Sequence, residues 1–200
     1  MSQDPSLKKP VTTRGRRTRQ RLLDAAEEVF GNKGYENASV AEITQKAGVA
    51  QGTFYIYFPD KKAAFTELVR ELNHLVRRDI SIATEGISDR MEAERIGFQA
   101  FFKFVLKRPN LYRIIRQAEF VDYDIFRWHY QHFSDGYVKH LKNAMKKEQL
   151  KQLDAETLAY CFMGISEFLG MRWGLWEQKV PPKKAFDTLV ALLSEGMGLK

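Results

Sequence analysis

Several features are scarce in this 200-residue chain, and each scarcity excludes a class of protein. The single cysteine, Cys161, rules out an intrachain disulfide and a zinc site of the multi-cysteine type. No apolar run approaches about 20 residues, and the N-terminus lacks a signal-peptide pattern, so we expect a cytoplasmic protein without a membrane partner. Alternating strand patterns and Asn-Gly hairpin signals are missing as well, which predicts a fold without a β-sheet.

Patterns of catalytic and metal-binding residues are scarce too. Glu71 and His74 match half of a helical di-iron signature, and His129 and His132 lie one helical turn apart, but no second Glu-x-x-His motif accompanies them. Cys161 has apolar neighbours and no adjacent base, so we expect a buried, inert thiol. The sequence therefore predicts no catalytic residues, no metal site and no cofactor.

The strongest positive signal is the segment 39–58, which reads as two short helices joined by a glycine turn. Ser39 with Glu42 is a capping-box pattern, in which each side chain satisfies a backbone N–H at the start of a helix. The first helix is therefore predicted from Val40, and Gly48 supplies the left-handed backbone conformation that ends it. A second helix follows from Gln51, with amide, hydroxyl and phenol groups that can contact base edges and phosphates. On its own this pattern favours a plain helical hairpin, with a DNA-reading helix-turn-helix as the alternative, and only the wider run 30–69 reverses that preference.

The run 30–69 closely resembles the N-terminal domain of the TetR/AcrR family of bacterial transcription regulators, and the resemblance covers residues 14–73. It is carried by Phe30, Gly34, Tyr35, Ser39, Val40, Ile43, Ala47, Gly48, Val49, Gly52, Thr53, Tyr55, Tyr57, Phe58, Lys61 and Phe65. The resemblance implies that the DNA-contacting positions are Ser39, Gln51, Gly52, Thr53, Tyr55, Tyr57 and Lys61. This chain departs from the family at Ala41, where some members have a base-reading arginine. It also implies a helical second domain that binds small effectors and dimerises through its last two long helices.

Positive charge is concentrated at the N-terminus. The chain has a net charge of +7, and residues 1–21 hold seven basic residues against Asp4 alone. Such an end is often a solvated tail, but before a DNA-reading motif it suits the neutralisation of phosphates. We expect residues 1–13 to form a disordered basic arm, and the DNA-binding residues of this region to be Lys8, Lys9, Arg14, Arg16 and Arg17.

The domains predicted from the sequence are all helical. A three-helix DNA-binding domain, 14–60, is followed by a connecting helix, 61–85, and by a larger effector-binding and dimerisation domain, 86–200. Helix starts are predicted at Asp60, Asp89, Pro109, Asp122 or Asp124, and Asp154, and Val180-Pro181-Pro182 interrupts the chain before the last helix.

Small residues lie four apart on the helix predicted over 155–177, at Ser166, Gly170 and Gly174. Each glycine inside a helix costs about 1 kcal/mol relative to alanine, so close packing should offset it. We predict a dimer interface formed by this stripe with Leu189 and Leu193 of the final helix. Packing against a helix of the same chain is the alternative.

Aromatic residues recur on several separate helices of the second domain, so no single stripe explains them. Most such rings form cores, but they can also line an apolar cavity beside a polar anchor. The predicted ligand-binding residues are Phe101, Phe104, Tyr112, Arg116, Phe120, Trp128, His129, Phe133, Phe162 and Phe168. The expected function is that of a homodimeric repressor, released from an inverted-repeat operator by an apolar or aromatic molecule, fatty acyl-CoA being one candidate. The alternative is an architectural DNA-binding protein that needs no effector.

Overall fold

The computed structural model describes residues 12–197, and all regular structure in that part of the chain is helical. The helices are α1 (Thr13–Lys33), α2 (Val40–Ala47), α3 (Gln51–Tyr57), α4 (Lys61–Ala83), α5 (Arg90–Lys107), α6 (Pro109–Val121), α7 (Tyr123–Lys146), α8 (Ala155–Leu169), a π-helical segment (Gly170–Trp176) and α9 (Lys183–Met197). The all-α fold predicted from the sequence is confirmed. None of the helices within residues 12–197 combines the length and the apolar character that crossing a membrane requires.

Aspartates cap several helices where the sequence predicts them. The Asp60 and Asp89 carboxylates accept hydrogen bonds from the N–H groups of Ala63 and Glu92, both at 2.7 Å, and Asp154 does the same for α8. Asp122, rather than Asp124, caps α7. Each contact satisfies a backbone donor that the first helical turn leaves without an intrahelical partner.

Helix α1 begins at Thr13, one residue before the predicted start of the DNA-binding domain. The Thr12 hydroxyl accepts from the Gly15 N–H at 3.1 Å and starts the helix at Thr13. Arg14, Arg16 and Arg17 therefore lie on α1, within the segment 14–60 predicted as the helical DNA-binding domain. Lys8 and Lys9 lie outside the described residues.

The described chain divides into two units by its internal contacts. The N-terminal unit comprises residues 12–72 and 110–127, and the second unit comprises 73–109 and 128–197. Helix α6 therefore belongs with the helix-turn-helix and not with the second unit. In the N-terminal unit, Asn110 of α6 lies against the backbone at Gly31, where an added Cβ would be 2.4 Å from Asn110 Cβ.

Aromatic rings fill the core of the N-terminal unit. Phe30, Phe54, Phe58 and Phe65 are fully buried. The rings of Phe30 and Phe65 meet edge to face with centroids 5.5 Å apart, a favourable arrangement for aromatic pairs. This core fixes α3 by its inner face and leaves its outer face free.

The second unit has its own core, drawn from α5, α7, α8 and α9. It includes Phe98, Phe102, Leu141 and Phe162. Leu189 and Leu193, which the sequence analysis placed at a dimer interface, are 4% and 5% exposed and belong to this core. Packing within one chain is therefore sufficient to explain their apolar character.

The π-helical segment replaces the last two turns of the helix predicted to end at residue 177. A Cβ added at Gly174 would lie 2.5 Å from Val105 Cγ1, so glycine is needed where this segment packs on α5. The intrachain alternative thus accounts for Gly174. Cys161 corrects another expectation, because it is exposed and not buried; it lies on the outward face of α8 beside Tyr160.

Candidate DNA interface and effector cavity

The turn between α2 and α3 is fixed by local hydrogen bonds. The Ser39 hydroxyl accepts from the Glu42 N–H at 3.2 Å, and the Glu42 carboxylate accepts from the Ser39 N–H at 3.1 Å, which completes the predicted capping box. The hydrogen bond from Lys33, followed by that from Ser39, lowers the pKa of the Glu42 carboxyl. Gly48 ends α2 in the left-handed region, with φ of 63° and ψ of 44°. Arg21 donates from α1 to the carbonyl oxygens of Ala47 and Gly48 and holds the turn.

Helix α3 presents a mixed polar and apolar outer face. Gln51 and Gly52 are exposed, and Tyr55 is 53% exposed. Thr53 and Tyr57 are half-buried. Ile56 is 63% exposed and was missed by the sequence analysis, although helical spacing places it beside Gly52. A large aliphatic side chain on this otherwise polar face can contact a thymine methyl group.

Lys61 has a different environment from the one expected of a phosphate contact. Its ammonium donates to the carbonyl oxygens of Tyr35 and Ala38 at 2.8 and 2.9 Å and lies 4.2 Å from the centre of the Tyr35 ring. These contacts close the loop between α1 and α2 onto the start of α4. The position therefore has a structural explanation that does not require DNA.

Four of the five arginines of α1 fall into two groups, and the fifth, Arg16, donates to the Thr13 hydroxyl at 3.2 Å. Arg19 pairs with Glu67 at 2.8 Å, and Arg21 holds the turn before α3. Arg14 and Arg17 are exposed, and neither guanidinium has a hydrogen-bond or ion-pair partner among residues 12–197. The first group fixes the fold, whereas the second is available to an external anion.

The second unit contains a cavity of about 580 Å³. Its walls come from α4, α5, α7 and α8. The apolar lining includes Ile80, Phe98, Phe101, Phe133 and Met163. The size and composition are those of a site for a small organic molecule.

Three of the predicted ligand residues, Phe101, His129 and Phe133, line this cavity. The other seven lie elsewhere. Phe104 and Phe162 are buried in packing, and Trp128 stacks on His132 with ring centroids 4.7 Å apart. Tyr112, Arg116 and Phe120 belong to the N-terminal unit, and Phe168 is 68% exposed on α8. Ser166, predicted at the dimer interface, lines the cavity.

A buried carboxylate forms part of the cavity wall. Glu94 is 2% exposed, accepts from Arg90 Nε at 2.8 Å and accepts from the Tyr137 hydroxyl. Burial raises the pKa of the Glu94 carboxyl, and the Arg90 guanidinium opposes that shift. Burial, followed by the neighbouring Glu94 charge, also raises the pKa of Tyr137. The spacing of Arg90 and Glu94 is visible in the sequence, but nothing local identifies Tyr137 as their partner.

His129 is the second buried titratable group of the wall. Asn73 Nδ2 donates to the His129 carbonyl oxygen at 2.9 Å and lies 3.4 Å from Nδ1 of the ring. Burial lowers the pKa of His129 to about 4, so the imidazole is neutral at pH 7. The cavity therefore contains neutral and internally paired polar groups next to its aromatic surface.

Comparison with known proteins gives these features a family context. The family model for bacterial regulatory proteins of the tetR family matches residues 22–68. YdgC of Bacillus subtilis, described as an uncharacterized HTH-type transcriptional regulator, is 30% identical over 199 residues, covering 94% of this chain and 96% of YdgC.

Two solved structures share the fold. The fatty acid degradation regulator FadR from Bacillus halodurans has a TM-score of 0.80 at 22% identity, covering 93% of this chain and 96% of that one. The transcriptional regulator FadR from Bacillus subtilis in complex with stearoyl-CoA has a TM-score of 0.77 at 20% identity, covering 88% and 98%. With a capped helix-turn-helix, a helical second unit and a match to YdgC along nearly the whole chain, this protein belongs to the TetR family of DNA-binding transcriptional regulators.

Proposed function

We propose that this protein is a homodimeric repressor that binds an inverted-repeat operator through α3 and is released by a fatty acyl compound, with long-chain acyl-CoA as the leading candidate. The observation that carries the effector class is the aromatic-walled cavity of about 580 Å³ in the second unit. The fold shared with a FadR described in complex with stearoyl-CoA supports the same class.

In this proposal the operator is read by the exposed face of α3. Gln51 can form a bidentate pair with adenine, and Gly52 lets the helix backbone approach a base closely. Tyr55 and Ile56 can contact thymine methyl groups. Ser39, Thr53 and Tyr57 border this face, and Arg14 and Arg17 supply phosphate contacts that carry no sequence information.

Dimerisation would use the outward faces of α8 and α9 in place of the stripe predicted from the sequence. Tyr160, Phe168 and Leu192 are 43%, 68% and 61% exposed, and Gly164 has open space where its Cβ would be. Apolar surface of this kind is costly to leave in water and is typical of a subunit interface. A two-fold dimer would place its reading helices about 34–36 Å apart, which selects an inverted repeat.

Effector control requires a difference in affinity between two states of the dimer. To weaken operator binding 100-fold, the acyl compound must favour the released state by about 2.7 kcal/mol. Helix α4 begins directly after α3 and contributes Ile80 to the cavity wall, so it is the continuous element on which such a change can act. Linkage also requires that operator DNA weaken effector binding by the same factor.

The test is release of DNA by stearoyl-CoA. An operator is selected from random-sequence DNA with the purified protein, and binding is followed by fluorescence anisotropy. Stearoyl-CoA should release the wild-type protein, while Phe101→Ala and Phe133→Ala should need about tenfold more ligand, because each variant removes apolar contact worth roughly 1–3 kcal/mol.

Phe120→Ala is the matched control, because Phe120 is 86% exposed and belongs to the other unit. It should respond to stearoyl-CoA as the wild type does. If neither acyl-CoA nor free fatty acid releases the wild-type protein, the effector-independent alternative replaces this proposal.

A further inference from the structure

Three arginines line the cavity, and two of them are already paired. Arg90 is held by the buried carboxylate of Glu94 and lies with its guanidinium carbon 5.6 Å from the centre of the Tyr137 ring. Arg78 pairs with its neighbour Asp79 at 3.1 Å. Their charges are therefore balanced within the protein.

Arg77 is the arginine of the cavity wall whose charge is not balanced in this way. The Arg77 guanidinium has no hydrogen-bond or ion-pair partner among residues 12–197. The second carboxylate of the wall, Glu167, has an interaction of its own. A guanidinium is always charged at physiological pH and forms paired hydrogen bonds with carboxylate or phosphate oxygens. An unpaired one beside an apolar cavity is suited to an anionic ligand.

Gly136 provides the room that Arg77 occupies. A Cβ added at Gly136 would lie 3.2 Å from Arg77 Nη2 and 3.8 Å from both Cζ and Nε. The guanidinium thus reaches from α4 across to the backbone of α7 in the cavity wall. Glycine inside a helix costs about 1 kcal/mol relative to alanine, so close approach of the arginine gives this position a reason to be glycine.

The surroundings of this arginine define the rest of the ligand. Phe133 precedes Gly136 by one helical turn on α7, and Ile80 follows Arg77 by one turn on α4; both line the same cavity. A single molecule can therefore place an alkyl chain against Phe133 and Ile80 and its anionic oxygens against the guanidinium.

We propose that Arg77, seated against Gly136, anchors the anionic group of the effector, so that the cavity selects amphipathic anions over neutral apolar molecules. This inference rests on the proposed function in taking the cavity as the effector site. The anionic oxygens belong either to the carboxylate of a fatty acid or to the phosphates of an acyl-CoA, and both have the chemistry that a guanidinium binds.

The experiment compares three ligands that share one alkyl chain: stearate, stearoyl-CoA and octadecanol. Each displaces Nile red, a neutral dye, from the full-length protein. Arg77→Gln should weaken binding of at least one anionic ligand about tenfold or more and leave octadecanol within about twofold, because it removes charge-assisted hydrogen bonds and no apolar surface. Loss for stearate alone identifies a carboxylate anchor, whereas loss for stearoyl-CoA alone identifies a phosphate anchor.

Arg78→Gln is the matched control, because the neighbouring arginine has Asp79 as a partner. It should leave all three affinities within about twofold. Gly136→Ala should weaken the same anionic ligand as Arg77→Gln by a smaller factor, without loss of helicity in circular dichroism, because the added methyl displaces only the guanidinium.

The outcomes separate the two proposals. If Arg77→Gln lowers the affinities for all three ligands equally, or for none, the anchor is wrong and the apolar effector site stands. If Arg78→Gln matches Arg77→Gln, general positive charge replaces the specific anchor. If no ligand displaces Nile red from the wild type, the effector class itself is wrong and the anchor falls with it.

Discussion

The two units treat buried polarity in opposite ways. Among residues 12–196, the buried polar side chain of the N-terminal unit is Thr44, whose hydroxyl bonds to the Val40 carbonyl oxygen of its own helix at 2.9 Å. The second unit buries Asn73, Glu94, His129 and Ser134. Burying such groups is costly unless partners satisfy them, and α7 supplies partners in the second unit: His129 accepts from Asn73, and Tyr137 donates to Glu94.

This difference accompanies the placement of the two candidate sites, which are the outer face of α3 in the N-terminal unit and the cavity in the second unit. The N-terminal unit presents α3 to the outside, and its interior is apolar apart from Thr44. The second unit forms its cavity among four helices, and Glu94 and His129 of the cavity wall are buried. Polar side chains of the cavity wall thus interrupt the apolar interior of the second unit.

The largest expected effect is a loss of stability of the second unit at low pH, caused by the buried histidine His129. In the folded protein burial lowers the pKa of His129 to about 4, whereas an unfolded histidine has a pKa of about 6.5. The unfolded state therefore binds more protons below pH 6.5, and the stability contributed by the neutral ring is lost as the pH falls toward 4. The second unit should lose about 2 kcal/mol between pH 7 and pH 5 from this residue alone.

Tryptophan fluorescence can measure this loss in the second unit. All three tryptophans, Trp128, Trp173 and Trp176, belong to that unit, so urea unfolding followed by their emission reports on it. His129→Asn should reduce the difference between pH 7 and pH 5 by about 2 kcal/mol. His74→Asn, at an exposed position of the same cavity, is the control and should leave the difference unchanged. An undiminished pH dependence in His129→Asn would mean that this histidine is not the buried neutral group.

The same contrast explains how far the sequence could predict each site. The α2–α3 turn was predictable because its determinants are local: Ser39 and Glu42 are three residues apart, and Gly48 alone ends the helix. Residues that are neighbours in sequence fix this backbone, so the reading face follows from helical spacing. Ile56 was overlooked for its chemistry, although the spacing of α3 already placed it outside.

The cavity was only partly predictable because its walls come from residues far apart in the chain. Phe101 and Phe104 look alike in the sequence, yet only Phe101 reaches the cavity. Tyr112 and Phe120 do not line the cavity, because α6 belongs with the N-terminal unit. No local sequence pattern reveals this. Arg78 pairs with its sequence neighbour Asp79, whereas the position of Arg77 against Gly136 depends on the packing of α4 against α7.

The next prediction compares a glycine in the interior of the second unit with a glycine on its surface. Gly174→Ala places a methyl group against Val105, a β-branched residue with little freedom to move, and should destabilise the second unit by about 1–3 kcal/mol. Gly164→Ala adds a methyl group in open space on α8 and should not destabilise the folded chain. Urea unfolding followed by tryptophan emission measures both.

Oligomeric state then distinguishes packing from assembly. In sedimentation equilibrium, Gly164→Leu should weaken the dimer because it alters the proposed outer face of α8. Gly174→Ala should lower stability and keep the dimer constant of the wild type under native conditions. If instead Gly174→Ala dissociates the dimer while the chain keeps its stability, the stripe of Ser166, Gly170 and Gly174 is the interface after all.

The smallest expected change in stability tests whether the outer face of α3 contributes to the stability of the fold. A Cβ added at Gly52 meets nothing within 4 Å, and the residue lies in the first turn of a helix. Gly52→Ala should therefore leave the unfolding free energy within about 0.5 kcal/mol of the wild type, with any shift toward greater stability. Operator affinity should nevertheless fall about tenfold or more, because the new methyl group occupies space that the base edge needs.

Gln45→Ala, at an exposed position of α2, is the control and should bind the operator within about threefold of the wild type. Thermal unfolding by circular dichroism and anisotropy on the selected operator give the two quantities. A loss of stability in Gly52→Ala would show that the glycine serves the fold, whereas an unchanged operator affinity would mean that DNA approaches another part of α3.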